Sequence, residues 1–263
     1  MRVHITMENS ACSENFACEH GLGLYIETGD THILFDTGAS PAFADNAKVM
    51  GLDLSRVDFA VLSHGHYDHS GGIQRFLLEN DHAPLYINEK AFGAYVSRKV
   101  KNISISADLQ SNPRLIRTGD FQKLAENMTL LTCNGEDLKY PIEHHNLYAL
   151  TGGQLLPDTF RHEHYLVVEE AGKRIVISGC SHKGICNIVH WLKPDVLIGG
   201  FHFSKIETEG EGRAKLLAAA EELASCNTVY YTGHCTGDAQ YDVMKEVMGD
   251  RLHRIRAGQT YDI

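Results

Sequence analysis

Four side chains with metal-binding chemistry lie within one stretch of six residues, at His64, His66, Asp68 and His69. The stretch directly follows residues 57–62, an apolar run that predicts a buried strand. Imidazole and carboxylate groups are ligands of borderline divalent metals such as zinc. Because residues two apart in an extended segment project to the same side, His64 and His66 could reach one ion together. The turn that follows would then bring Asp68 and His69 towards a second position.

The same stretch resembles a known family. A pattern His-x-His-x-Asp-His after an apolar strand is similar to the metal-binding motif of the metallo-β-lactamase superfamily, and further motifs follow in that superfamily's order at residues 33–38, 176–182 and 196–202. The sequences Gly-Cys-Ser-His, Gly-Gly-Phe-His and Thr-Gly-His-Cys-Thr-Gly resemble the branch named after the dihydropterin ribofuranosyl-aminobenzene phosphate synthases. The resemblance implies a four-layer αββα sandwich with a metal site at one edge of its two sheets.

The resemblance also implies a set of metal ligands, which consists of His64, His66, Asp68, His69, Cys180, His182 and His202. His202 matches the last histidine of the motif series. Cys180 stands where most members have an aspartate. A thiolate is a good zinc ligand, and metal binding deprotonates the thiol. The alternative is that Cys180 is a buried cysteine and that His182, two residues further on, is the ligand.

Other residues are expected to support the ligands or to act in the reaction. Members of the superfamily tend to have a histidine shortly before the third motif, and His162 is the best match in this chain. Asp36, at the end of an early strand, is expected to orient a ligand histidine. His144 and His145 are alternative candidates, but they lie in an unpatterned stretch, which favours a position at the surface. The residues expected to act in the reaction are Asp68, His182 and His234.

Three strand ends with potential ligands also begin helices, at residues 69–72, 181–184 and 234–237. Helix N-termini present unpaired N–H groups and a partial positive charge, so each is a potential anion site. Ordinary N-capping is the alternative for any single turn of this kind. Their grouping with metal ligands favours a substrate that carries phosphate or carboxylate. The residues expected to bind this substrate are Lys183, Gly184, Thr236 and Gly237.

Metal-dependent hydrolysis is the chemistry that this donor set supports best. Two ions about 3.5–4 Å apart clamp a substrate oxygen and lower the pKa of bound water to about 7. We therefore expect two divalent ions, zinc first and manganese or iron as alternatives, in a hydrolase of a small anionic ester, lactone or phosphoester. One alternative is a synthase of the pterin and ribofuranosyl-aminobenzene phosphate type that uses the metals as Lewis acids. The other is a non-catalytic metal-binding or sensing protein, and the complete run from His64 to His69 argues against it.

The composition and charge of the chain limit the kinds of molecule that it is expected to bind. The chain has 263 residues and a net charge of −10 at pH 7, which disfavours binding to nucleic acid phosphates. No run of about 18 apolar residues predicts a membrane span, and the N-terminus lacks the apolar stretch of a secretory signal. Seven cysteines at irregular spacing, without such a signal, favour a reduced cytoplasmic protein. A small anionic molecule is the expected partner.

Strands alternate with helices along the chain, which predicts sheets covered by helices. Strands are predicted over residues 22–27, 32–35, 85–87, 165–168, 174–178, 195–198 and 228–232. Helices are predicted over residues 72–78, 184–192, 212–224 and 239–247. The expected architecture is an α/β fold with mixed sheets in a single domain over residues 1–263. The least periodic region, about residues 88–160, is predicted to be an insertion or a lid within that domain.

Overall fold

The chain forms two compact units, each built on a seven-stranded sheet. The computed structural model describes all residues, 1–263. Unit 1 consists of Met1–Asp120, Asn146–His164 and Arg256–Ile263. Unit 2 consists of Phe121–His145 and Tyr165–Ile255. The single domain expected from the sequence stays a prediction.

The large sheet of unit 1 is mixed. Its strands, in spatial order, are β18 (Thr260–Asp262), β1 (Arg2–Met7), β2 (Gly23–Thr28), β3 (Thr31–Thr37), β4 (Phe59–Leu62), β5 (Leu85–Asn88) and β8 (Leu115–Thr118). Strands β1 to β3 pair antiparallel, whereas β3, β4, β5 and β8 pair parallel. All four residues of β4 are buried, as expected for a parallel strand covered on both faces. The carboxyl ends of β3 and β4 therefore meet at one edge of the sheet.

Unit 1 also contains three helices and a second, four-stranded sheet. The helices are α1 (Ala42–Val49), α2 (Tyr67–Ser70) and α3 (Ile73–Glu79). The small sheet has the order β12 (Gln154–Pro157), β11 (Leu147–Thr151), β6 (Tyr95–Ser97) and β7 (Lys101–Asn102). One apolar core lies under α1 and α3, where Phe43 and Phe76 are fully buried.

The sheet of unit 2 is mixed as well. Its strands, in spatial order, are β17 (Leu252–Arg254), β16 (Val229–Thr232), β15 (Val196–Ile198), β14 (Lys173–Ile177), β13 (Tyr165–Glu170), β10 (Met128–Leu131) and β9 (Phe121–Ala125). Strands β14 to β17 pair parallel. The helices are α4 (Ile185–Leu192), α5 (Gly210–Ser225) and α6 (Asp238–Met248). On α5 the buried residues Leu216, Ala220 and Leu223 recur at helical spacing and face a second apolar core.

The predicted α/β class with mixed sheets is confirmed. The region predicted as an insertion, about residues 88–160, contributes β8 to the large sheet of unit 1 and β9 and β10 to the sheet of unit 2. Its remaining strands form the small sheet of unit 1. No helix in the chain is both long enough and apolar enough to cross a bilayer.

Candidate metal centre

Asp36 and Ser63 organise the first cluster at the carboxyl ends of β3 and β4. The backbone N–H of Ser63 donates to Asp36 Oδ1 at 2.7 Å, and the Ser63 hydroxyl donates to Asp36 Oδ2 at 2.7 Å. His69 Nδ1 lies 2.7 Å from the same Oδ2. Asp36 is fully buried with a φ of 59°, a strained value for a residue with a side chain. The carboxylate therefore holds both the start of the histidine loop and one of its histidines, the contact that its predicted role requires.

The histidine loop brings its predicted ligands together. The ring of His64 lies 4.5 Å from that of His66 and 4.2 Å from that of His69, measured between ring centroids. His66 has an extended backbone and is followed at once by the single turn of α2, which carries Asp68 and His69. Asp68 Oδ2 lies 3.9 Å from His69 Nε2. All four residues are buried, so unit 1 contains a compact group of imidazole and carboxylate donors.

Burial and nearby charges shift the two histidine pKa values in opposite directions. Burial, helped by His162, lowers the pKa of His66 to about 3, so this imidazole is neutral at physiological pH. Burial also opposes the charged form of His69, but Asp36 and Asp68 outweigh it and raise the pKa of His69. A neutral imidazole is the form that binds a metal. His66 is therefore ready to bind one without losing a proton.

His162 positions the loop between the first two histidines. The backbone N–H of Gly65 donates to His162 Nδ1 at 3.0 Å, and His162 Nε2 lies 3.0 Å from Asp158 Oδ2. Since Nδ1 accepts, Nε2 must carry the proton and donate to Asp158. Burial raises the pKa of Asp158, but the contact with His162 outweighs it and the net shift is downward. Asp158 was missed in the sequence because it lies in an unpatterned loop.

The second cluster lies at the carboxyl ends of the parallel strands β14, β15 and β16. Cys180 and His182 follow β14, His202 follows β15, and His234 follows β16. The ligand atoms of Cys180, His182 and His202 all lie within 4.8 Å of one another. Those of Cys180, His234 and Cys235 do so as well. Parallel neighbours present their carboxyl ends at one edge, which explains how residues far apart in the chain converge.

Backbone strain and glycines shape this edge. Ser181, His202 and His234 all have positive φ values, 58°, 59° and 50°, in a region that costs a residue with a side chain about 1–3 kcal/mol. A Cβ atom at Gly199 would lie 2.2 Å from the carbonyl oxygen of Ser178, and one at Gly200 would lie 2.3 Å from Cys235 Sγ. Only glycine permits this close approach of the strand ends. At this edge, strained residues therefore lie in the same segments that deliver the ligands.

The donor chemistry of the second cluster fits a first-row divalent metal. Thiolate and imidazole are the usual protein ligands of zinc. The sequence left open whether Cys180 or His182 is the ligand, and the structure places both in one group with His202. Cys235 was missed, although it directly follows His234 in the sequence. His145 was expected at the surface, and this expectation is wrong: its side chain is 12% exposed and its ring lies 4.9 Å from that of His202.

The residues expected to bind an anion lie at the same strand ends, but their polar atoms have partners within the protein. The Lys183 ammonium is buried, donates to the carbonyl of Thr132 at 2.6 Å and lies over the ring of Tyr165. The Thr236 hydroxyl accepts the N–H of Phe201 at 2.9 Å. Gly184 and Gly237 directly precede α4 and α6 with φ values of 86° and 84°. Their part in substrate binding stays a prediction.

Comparisons with known proteins agree with these observations. A protein-family model described as metallo-beta-lactamase superfamily matches residues 20–104 of this chain. A Methanocaldococcus jannaschii protein named 7,8-dihydropterin-6-methyl-4-(beta-D-ribofuranosyl)-aminobenzene-5'-phosphate synthase is 27% identical over 269 residues, which cover 93% of this chain and 90% of that protein. An uncharacterised protein of the same organism is 29% identical over 212 residues, which cover 76% of this chain and 78% of that protein.

The solved structures show the same fold. The crystal structure of Tm1679, named as a metal-dependent hydrolase of the beta-lactamase superfamily, superposes with a TM-score of 0.85 at 25% identity. The match covers 100% of this chain and 99% of that chain. The predicted resemblance to the metallo-β-lactamase superfamily is therefore confirmed, and so is the predicted fold class.

Proposed function

We propose that this chain, which has the metallo-β-lactamase fold, is a metal-dependent hydrolase of a small anionic ester, lactone or phosphoester. One observation carries the proposal: the ligand atoms of Cys180, His182 and His202 lie within 4.8 Å of one another at one sheet edge. The histidine loop of unit 1 supplies a second buried donor group of the same chemistry. Buried donors of this kind are seldom collected without a metal to bind.

The residues that would hold metal are His64, His66, Asp68 and His69 in unit 1, and Cys180, His182 and His202 in unit 2. Bound divalent ions would polarise a substrate oxygen and lower the pKa of water to about 7, and zinc fits the donors best, with manganese or iron as alternatives. Asp68 is a buried carboxylate and would accept a proton from the attacking water. His182 and His234 would donate hydrogen bonds to the oxyanion that develops.

The helix starts support an anionic substrate, although the net charge of the chain opposes one. The chain carries a net charge of −10, so an anion needs a local positive site in order to bind. Divalent ions would provide most of that charge. The N-terminus of α6, at Gly237–Asp238, adds backbone N–H groups at the same edge as His234. The partner proposed here is therefore a small anionic molecule.

One observation favours a second candidate function, a synthase. The M. jannaschii relative that is 27% identical over 93% of this chain bears a synthase name. A synthase of that type would use the same metals as Lewis acids to orient a phosphorylated substrate. Its reaction would consume two organic substrates, whereas a hydrolase consumes one substrate and water. Product analysis by mass spectrometry in water enriched in oxygen-18 separates the two, because only hydrolysis incorporates the label.

The test of the hydrolase proposal begins with metal content. Protein purified without chelator should hold about two first-row metals per chain and should hydrolyse at least one member of a panel of phosphoesters, lactones and thioesters. Exchange of His66 or His202 for alanine should lower metal content and rate together. His82→Ala and His190→Ala are matched controls, because both histidines are exposed. Trace metal only, even after incubation with zinc, manganese or iron, would overturn the proposal.

A further inference from the structure

A cavity of about 340 Å³ lies in unit 2 beside the second cluster. Its walls include the start of α4, one side of α5 and the segment that follows β15. His182 and His202 of the second cluster both line the cavity. This volume is at the lower end of the range for small-molecule sites, about 300–1,000 Å³. The cavity therefore has room for a compact group rather than for an extended chain.

The walls of the cavity are mostly apolar. They are formed by Ile185, Phe201, Phe203, Ile206, Ala218 and Ala219. On α5 the cavity is lined by Lys215, Ala219 and Glu222, which are spaced four and three residues apart and therefore share one face of the helix. The small side chain of Ala219 leaves the space open at the middle of this face. Apolar and aromatic walls of this kind favour flat, apolar ligand groups.

The lysine and glutamate side chains that line the cavity each have an ionic partner. Lys215 Nζ lies 3.2 Å from Glu143 Oε1, and Glu222 Oε1 lies 3.0 Å from Lys139 Nζ. No unbalanced lysine or carboxylate thus lines the cavity to hold a charged group.

The side chain of Asn187 anchors the backbone around Lys139 and Tyr140, which borders the cavity. Asn187, on α4, accepts the backbone N–H groups of Lys139 and Tyr140 at 3.1 and 2.9 Å, and it donates to the carbonyl of Tyr140 at 2.9 Å. Asn187 is fully buried. The cavity is therefore bounded by anchored backbone, and a ligand would meet a preformed site rather than a disordered loop.

We propose that this cavity binds an uncharged planar group of the substrate, one or two rings in size, and so places the adjoining reactive bond at His182 and His202. The inference rests on the proposed hydrolase function and adds a substrate class to it. The anionic part of the substrate would then lie outside the cavity, on the metal side of the two histidines. Binding of the ring alone does not require metal or turnover.

The binding test uses 2-naphthol as the uncharged probe and 2-naphthoate as its charged counterpart. Titration calorimetry or ligand-observed NMR should show binding of 2-naphthol to the wild type and weaker binding of 2-naphthoate. Ala219→Leu fills the cavity and should weaken 2-naphthol binding by at least about ten-fold, equivalent to about 1.4 kcal/mol. Ala214→Leu is the matched control, because Ala214 is an exposed residue of α5 that does not line the cavity. Both variants keep a good helix former, so folding is expected to survive.

Equal binding of 2-naphthol by wild type and Ala219→Leu would overturn the proposed ring site, and so would preferential binding of 2-naphthoate. A kinetic experiment distinguishes refutation of the ring site from refutation of the hydrolase proposal. With metal-loaded protein, a naphthyl ester should have a lower KM than the methyl ester of the same acid, and Ala219→Leu should remove the difference. Equal KM values with intact hydrolysis refute the ring site alone. Binding of 2-naphthol without hydrolysis of any ester refutes the hydrolase alone.

Discussion

Replacing Asp36 with asparagine tests how the protein prepares His69 for a metal. Asp36 Oδ2 lies 2.7 Å from His69 Nδ1, and a carboxylate can only accept there, so Nδ1 carries a proton. Nε2 is then the nitrogen left to bind a metal. This atom is on the side of the other donors, 3.9 Å from Asp68 Oδ2. The tautomer of His69 is thus set by a residue 33 positions away in the sequence.

In Asp36→Asn the side chain keeps its shape, but one oxygen becomes an amide NH₂ that donates. If the remaining oxygen still accepts the N–H of Ser63, the NH₂ faces His69 and favours a proton on Nε2, where it blocks metal binding. If the amide is flipped, the NH₂ faces the N–H of Ser63. A buried donor then loses its acceptor, at a cost of about 1–3 kcal/mol. Both arrangements weaken the site.

The expected loss is about 10–100-fold in metal affinity, or about 1.4–2.8 kcal/mol, the range for residues that orient a metal-binding histidine. The assay is competition for zinc between the protein and a chromophoric chelator. Asp45→Asn is the control, since Asp45 is an exposed residue of α1. Unchanged zinc affinity in a folded Asp36→Asn protein would refute the reasoning, because it would mean that the tautomer of His69 does not matter for binding.

Three further predictions address the two clusters. Cys180→Ser and His182→Ala should both lower the metal content measured by elemental analysis, because both ligand atoms belong to the group with His202. The control variant Cys186→Ser, on α4, should keep its metal content. The free energy of unfolding of the metal-free protein should decrease as pH falls from about 6.5 towards about 3, because His66 is protonated at a higher pH in the unfolded chain than in the folded protein. Urea titrations at several pH values measure this dependence on pH, and His66→Asn should weaken it. Thr236→Val should lower the free energy of unfolding by about 1–3 kcal/mol, because the buried N–H of Phe201 loses its acceptor, and Thr236→Ser should restore most of it. An unaltered urea midpoint in Thr236→Val would contradict the last prediction.

Local patterns in the sequence were sufficient to find four of the six helices and eight of the eighteen strands. The helix predicted over residues 184–192 is observed as Ile185–Leu192, and the one predicted over 212–224 is observed as Gly210–Ser225. The strand predicted from the apolar run before His64 is β4. These elements are readable because apolar periodicity and helix start signals lie within a few residues of one another. The donors of the His64–His69 cluster also lie within a few residues of one another, so the sequence alone was sufficient to recognise them as metal-binding side chains.

Only the tertiary structure decided which distant residues complete each cluster. Cys235 lies beside Cys180 although 55 positions separate them, and Gly65 donates to His162 across 97 positions. Such contacts depend on strand order, register and the strained turns that follow each strand. None of these leaves a pattern within the span of a single strand or helix. The sequence by itself therefore identified half of the helices and strands and the metal-binding side chains, while the packing of parallel strand ends determined which thiols, imidazoles and carboxylates meet.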